Sequence, residues 1–237
     1  MCGRYKLSTP FRDIVRLYNL TADASRYDNA PARYNIAPTQ EVAAVRYDKA
    51  TQERSLDFLR WGLVPYWAKD AKLGYSLINA ACETLADKPA FREAFDRRRC
   101  LVLADGFYEW KPLGGKTKQP YLIRMLDRAP FAFAGLWERW TDKATGEVIE
   151  SCAIITCPPN RVCAPIHNRM PAILAKADYA AWLGEVPATR DELEASLKPC
   201  PPALMEAVPI STKVNNVKNE GPELAEEVPE AQEARLL

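Results

Sequence analysis

Apolar positions along the chain recur in two rhythms. Residues 41–48 (EVAAVRYD) and 55–64 (SLDFLRWGLV) are short apolar runs of strand length. Residues 100–111 (CLVLADGFYEWK), the turn-rich LGGKTKQ at 113–119 and PYLIRML at 120–126 read as a β-hairpin. A further pair, FAFAGLWERW at 131–140 and EVIESCAIITC at 147–157, flanks the turn TDKATG. Helical spacing appears at residues 8–19, where Phe11, Ile14, Val15 and Tyr18 share a face. Ser8 or Thr9 is expected to cap that helix, with Pro10 in its first turn. A helix over 83–98 should break or restart at Pro89. KADYAAWLG at 176–184 and ATRDELEASL at 188–197 read as short helices, the first stopped by Gly184.

These elements predict an α+β fold. It is a single domain over residues 1–222, with a curved, mostly antiparallel, barrel-like sheet flanked by short helices. Residues 223–237 form an acidic tail expected to be disordered. A chain of 237 residues with 48% hydrophobic content can build one sizeable core. No internal repeat, βαβ alternation or glycine-rich phosphate loop is visible. Nineteen prolines against ten glycines point to long, stiff connections, and loops held on a rigid sheet commonly carry function.

Composition narrows the function classes. No apolar run approaches the roughly 20 residues needed to cross a bilayer, and MCGRYKLSTPFRD is too polar for a signal peptide. The expectation is a soluble, cytoplasmic monomer. Seven cysteines without a CxxC pair suit reduced, mostly buried thiols rather than a disulfide scaffold. The spacing of Cys152, Cys157 and Cys163 does not suit zinc, so neither metal nor cofactor is expected. Residues 221–237 hold five acids and one Arg, which leaves the preceding 220 residues at +5 within a total of +1. That mildly basic body permits a nucleic-acid partner without requiring one.

Four positions carry candidate chemistry. Loss of Met1 would leave Cys2 with a free α-amine and a thiol on adjacent carbons. The amine, with an ordinary pKa of about 7.7–8.0, is about 10–15% unprotonated at pH 7. A 1,2-aminothiol and an aldehyde give an imine, and the sulfur then closes a thiazolidine ring. On pattern alone, Cys2 reads first as merely the residue after the start codon. Asn79, in SLINAACET, reads either as an amide facing a pocket or as a turn residue. Glu109 lies between Tyr108 and Trp110. It is either a carboxyl raised by apolar surroundings into acid–base range or a solvent-facing strand residue. His167 is the single imidazole of the chain, set between Pro165 and Pro171 beside Asn168 and Arg169.

The strings MCGRY at the start, RYNIAPTQ at 33–40, WGLVPYW at 61–67, INA with ET at 78–84, ADGFYEWK, IITC, IHNRMP and VNNVKNEGPEL occur together in order. In that combination the chain resembles the SOS response-associated peptidase family, the abasic-site-shielding proteins, over roughly residues 2–223. The resemblance implies a sensor and shield of abasic sites in single-stranded DNA that crosslinks the lesion through Cys2. Asn79 would position the N-terminus and sugar, Glu109 would act as acid–base, and His167 would assist opening of the sugar ring. Arg4 and Arg169 would contact phosphates, and Trp67 and Trp110 would pack against unpaired nucleotides. Two positions depart from the family pattern: Ala81 stands where an Arg is common, and Asn168 where an Asp is common. The alternatives are an N-terminal-nucleophile thiol peptidase, an abasic-site lyase working through a Schiff base, and a non-catalytic single-strand binding module.

Overall fold

The computed structural model describes residues 2–230 except 22 and 28. The expected strand 41–48 is present as β3 (Glu41–Asp48), preceded by β1 (Tyr5–Leu7) and β2 (Arg33–Ile36). It is followed by β4 (Glu53–Trp61), β5 (Asn79–Ala81) and β6 (Arg99–Ala104). The remaining strands are β7 (Gly106–Pro112), β8 (Lys118–Met125), β9 (Phe131–Thr141), β10 (Val148–Cys157), β11 (Met170–Pro171) and β12 (Met205–Pro209). Strands β10, β4, β3, β6 and β9 pair in that order and close through the β9–β10 ladder into a five-stranded barrel. All its pairs are antiparallel except β4 with β10. A second sheet, in the order β12-β8-β7-β1-β2, is antiparallel throughout. The α+β, barrel-like expectation holds.

The run expected as one strand, CLVLADGFYEWK, serves both sheets. Its β6 half lies in the barrel, and its β7 half forms the hairpin with β8 and pairs with β1. The hinge residue Asp105 is 7% exposed, and its carboxylate explains why the predicted cap of the first helix fails. Ser8 Oγ and Thr9 Oγ1 each donate to it at 2.7 Å, so neither caps α1 (Phe11–Leu17), which starts after Pro10 with no side-chain cap. The helix expected over 83–98 reduces to a 3₁₀ turn at Cys82–Thr84 and α2 (Arg92–Arg97), in keeping with the break at Pro89. The later helices are α3 (Tyr179–Leu183), closed by Gly184 at φ 81°, and α4 (Arg190–Ser196), opened by a Thr189/Glu192 capping box. The tail expected to be disordered from residue 223 needs correction in its first half. Leu224 is fully buried, and the Val228 amide donates to Pro209 at 2.9 Å. The rest of that tail, 231–237, lies outside the described residues.

The barrel interior and the space between the sheets form one core. Tyr5 of β1 packs edge-on against Trp61 and Phe133, with ring centroids 5.3 and 5.7 Å away. Cys2, three residues before Tyr5 and fully buried, is thereby drawn into the middle of the protein. The 62–78 excursion leaves the end of β4 and returns at β5. It is pinned where Gly62 and Gly74 meet: a Cβ on Gly74 would lie 2.6 Å from the Gly62 carbonyl oxygen. Asn79 begins at the end of that excursion. Among the described residues no helix is long and apolar enough to cross a membrane.

Candidate active site around Cys2

Three elements converge on Cys2. Strand β1 fixes its depth: the Tyr108 amide donates to the Arg4 carbonyl at 2.9 Å, and Tyr5 pairs with Phe107. The β1–β7 ladder therefore brings Cys2 toward Glu109, two positions beyond Phe107 on the same face of β7. Parallel pairing of β5 with β10 places Asn79 opposite Ile154. From there Asn79 Nδ2 donates to the Cys2 carbonyl at 2.8 Å, while its buried Oδ1 has no hydrogen-bond partner among the described residues. The loop after β10 carries His167, and Asn160 shapes that loop. Its Oδ1 accepts from the Val162 and Cys163 amides at 3.0 Å, and its Nδ2 donates to the Cys200 carbonyl at 2.8 Å.

The electrostatics follow from this convergence. Glu109 is 4% exposed, and burial raises its carboxyl to about 7, opposed by the positive amino terminus and Lys118. Of the two readings of Glu109 in the sequence, the buried one is correct. Burial also raises the Cys2 thiol far above its ordinary value, and the Glu109 charge adds to the effect. His167 is held below its usual 6.5, first by burial and then by the same amino terminus and Lys118. The amino terminus thus acts on Cys2, Glu109 and His167 alike, and Asn79 bonds Cys2 directly. The structure sets Asn79 and Glu109 against Cys2, and His167 within reach of the same Lys118 charge that acts on Glu109. In chemical terms the cluster offers a carboxyl that titrates near neutrality, an imidazole neutral at that pH, and a thiol that is not a resting thiolate.

The predicted DNA-contact residues are arranged less uniformly. Trp67 is 48% exposed on the 62–78 excursion. Trp110 is half-buried, donates from Nε1 to Asn215 at 2.7 Å, and faces the Arg4 guanidinium 5.8 Å from its ring centre. Arg4 Nη1 donates to Asn35 Oδ1 and the Val214 carbonyl, at 2.9 and 2.8 Å. Arg169 spans Glu83 with two hydrogen bonds of 2.5 and 2.9 Å and also donates to the Thr156 carbonyl at 2.6 Å. Ala81 stands opposite Thr156 on β5 and contributes no charge there, and Asn168 is exposed.

Sequence reasoning missed two supporting residues. Asn35 is 1% exposed, and its Nδ2 bonds the carbonyls of Asn216 and Asn219 at 3.0 and 2.9 Å, tying the 214–219 loop to Arg4. Glu83 restrains Arg169. Both lie inside the strings RYNIAPTQ and ET, yet only the fold reveals their partners. An apolar cavity of about 410 Å³ opens elsewhere, between Met125, Phe131, Ile173 and Leu204, and none of the four clustered residues lines it.

The profile of the family described as SOS response associated peptidase (SRAP) matches residues 1–217. The chain belongs to the SRAP family. Among curated SRAP relatives, the abasic site processing protein YoqW of Bacillus subtilis is 42% identical over 226 residues, covering 95% of this chain and 99% of its own. Escherichia coli YedK, also named an abasic site processing protein, is 32% identical over 233 residues, covering 96% and 100%. The abasic site processing protein HMCES of Xenopus tropicalis is 33% identical over 231 residues, covering 87% of this chain and 65% of its own. The SRAP fold is also that of a crystallised Bacteroides thetaiotaomicron protein, with a TM-score of 0.85, 26% identity, and coverage of 96% and 100%.

Proposed function

We propose that this protein senses abasic sites in single-stranded DNA and shields them by a covalent link through Cys2 after loss of Met1. The observation that carries the proposal is the Asn79 Nδ2 to Cys2 carbonyl bond of 2.8 Å, made within the cluster that also holds Glu109 and His167. A bond to the carbonyl of Cys2 engages neither its nitrogen nor its sulfur, and the thiol itself is directed at the Arg4 carbonyl 4.0 Å away. The relatives' names agree with this choice of substrate.

The thiol's raised pKa orders the steps. The α-amine attacks first, adding to C1′ of the ring-opened sugar to give a carbinolamine, which loses water to form an imine. The Cys2 sulfur then adds to the imine carbon as its proton passes to the imine nitrogen. Glu109, titrating near 7, is suited to carry each of these protons. The sum is amine, thiol and aldehyde in, thiazolidine and one water out. Conversion of the aldehyde removes the group that drives β-elimination, so the strand stays intact. Arg4, Arg169, Trp67 and Trp110 would grip the flanking phosphates and bases, and no base readout is required.

The test is incubation of Met1-processed protein, and its Cys2→Ala variant, with an abasic single-stranded oligonucleotide. A heat-stable, Cys2-dependent adduct on a denaturing gel is expected. A cleaved strand without an adduct would instead indicate an abasic-site lyase.

A further inference from the structure

His167 lies in the loop between β10 and β11. Its Nδ1 is 3.0 Å from the main-chain nitrogen of Arg169 and 3.3 Å from the Arg169 carbonyl oxygen. The nearer partner is a peptide N–H, which can only donate. Nδ1 must therefore accept, and the proton of the neutral ring sits on Nε2. A proton on Nδ1 would set two N–H groups against each other at 3.0 Å.

The peptide that imposes this choice is itself restrained from both sides. Met170, the next residue, is registered opposite Cys157 in the β10–β11 ladder. The Arg169 guanidinium spans Glu83 and donates to the Thr156 carbonyl, which joins the His167 loop to the turn that follows Asn79. Burial is the largest cause opposing imidazolium formation, and the positive charges of the amino terminus and of Lys118 on β8 act in the same sense. Within its own loop, the Arg169 carbonyl favours the charged ring. The Arg169 guanidinium is matched by the Glu83 carboxylate.

We propose that Glu83 and the Arg169 main chain are positioning groups that lock His167 as a neutral Nε2–H hydrogen-bond donor. In that form the imidazole polarises an oxygen of the substrate without titrating. The proton transfers of imine and ring formation then fall to Glu109. The substrate oxygen rests on the abasic-site reading above, whereas the tautomer and its restraint do not.

The chain has one histidine, so ¹⁵N-labelled protein gives a single imidazole pair. Two-bond ¹H–¹⁵N spectra of the DNA-free protein, recorded from about pH 5 to 9, are expected to show protonated Nε2 and unprotonated Nδ1 at neutrality. The titration midpoint should fall below the usual 6.5. Glu83→Ala should move the Nδ1 resonance toward that of a free imidazole, with Glu83→Gln in between. With abasic single-stranded DNA, Glu83→Ala should slow adduct formation several-fold. His167→Gln, which keeps an N–H donor, should exceed His167→Phe by up to about a hundredfold in rate. A wild-type Nδ1–H tautomer, a Glu83→Ala spectrum identical to wild type, or equal rates for His167→Gln and His167→Phe would each overturn the proposal. Absence of any adduct with the wild-type protein would instead remove the crosslinking reading and leave the spectra to decide the tautomer.

Discussion

Replacing Glu109 by Gln should stabilise the protein above neutral pH while abolishing its chemistry. Burial raises the carboxyl from its usual 4.5 to about 7. Between those two pH values the folded chain keeps a proton that the unfolded chain has released. Stability therefore falls as pH rises through the window and is constant on either side of it. At about 1.4 kcal/mol per pH unit, the ceiling on that loss is about 3 kcal/mol. The neutral amide of the Glu109→Gln variant escapes this loss, so the variant's advantage should grow from near zero at pH 4.5 to its full value above pH 7. For a chain of this length, 3 kcal/mol corresponds to roughly 6–12 °C in Tm. The assay is thermal or urea unfolding of wild type and Glu109→Gln at half-unit steps from pH 4.5 to 8.5. A difference between the two proteins that does not change with pH would refute the account of Glu109 as a buried, raised carboxyl. So would a variant less stable than wild type at pH 8.

Other perturbations test the remaining parts of the site. Asn79→Ala should leave the thiol in place yet slow adduct formation by about 10²-fold through lost positioning of Cys2, measured as a single-turnover rate. Asn35→Ala should cost about 1–3 kcal/mol, because the Asn216 and Asn219 carbonyls and the Arg4 guanidinium lose the buried amide that joins them; hydrogen exchange should show the 214–219 amides opening first. Gly74→Ala should destabilise by about 1–3 kcal/mol in urea unfolding, since its Cβ would meet the Gly62 carbonyl backbone. Trp67→Ala should weaken binding of lesion-free single-stranded DNA by about 1–3 kcal/mol in a fluorescence titration, with unchanged Tm because the ring is half-exposed.

Legibility in the sequence divided along physical lines. Long apolar strands such as β3, β9 and β10 were readable because each has enough alternation or apolar length to announce itself. The short strands β1, β2 and β5, of three or four residues, carry no such period and form because neighbouring strands supply their hydrogen bonds, β1 from both sides and β2 and β5 from one. Those are the strands that place Cys2, Asn35 and Asn79. The four clustered residues were nameable from motif strings, but their convergence was not, since it depends on β1 pairing with β7 and β5 pairing with β10. Glu109 illustrates the limit. Strand alternation suggested one solvent-facing side for β7, whereas both of its faces are buried at Phe107, Tyr108 and Glu109. The predicted Ser8 and Thr9 caps failed for a similar reason: a carboxylate nearly a hundred residues away, at Asp105, competes for their hydroxyls.

The central claim, that nitrogen and sulfur of Cys2 jointly capture an abasic aldehyde, is tested most directly by intact mass spectrometry of the Met1-processed protein after exposure to abasic single-stranded DNA. The predicted product has the mass of protein plus oligonucleotide less one water, forms without a reducing agent, and is absent from Cys2→Ala and from protein retaining Met1. An adduct that survives only after borohydride reduction, or one that persists in Cys2→Ala, would contradict the account.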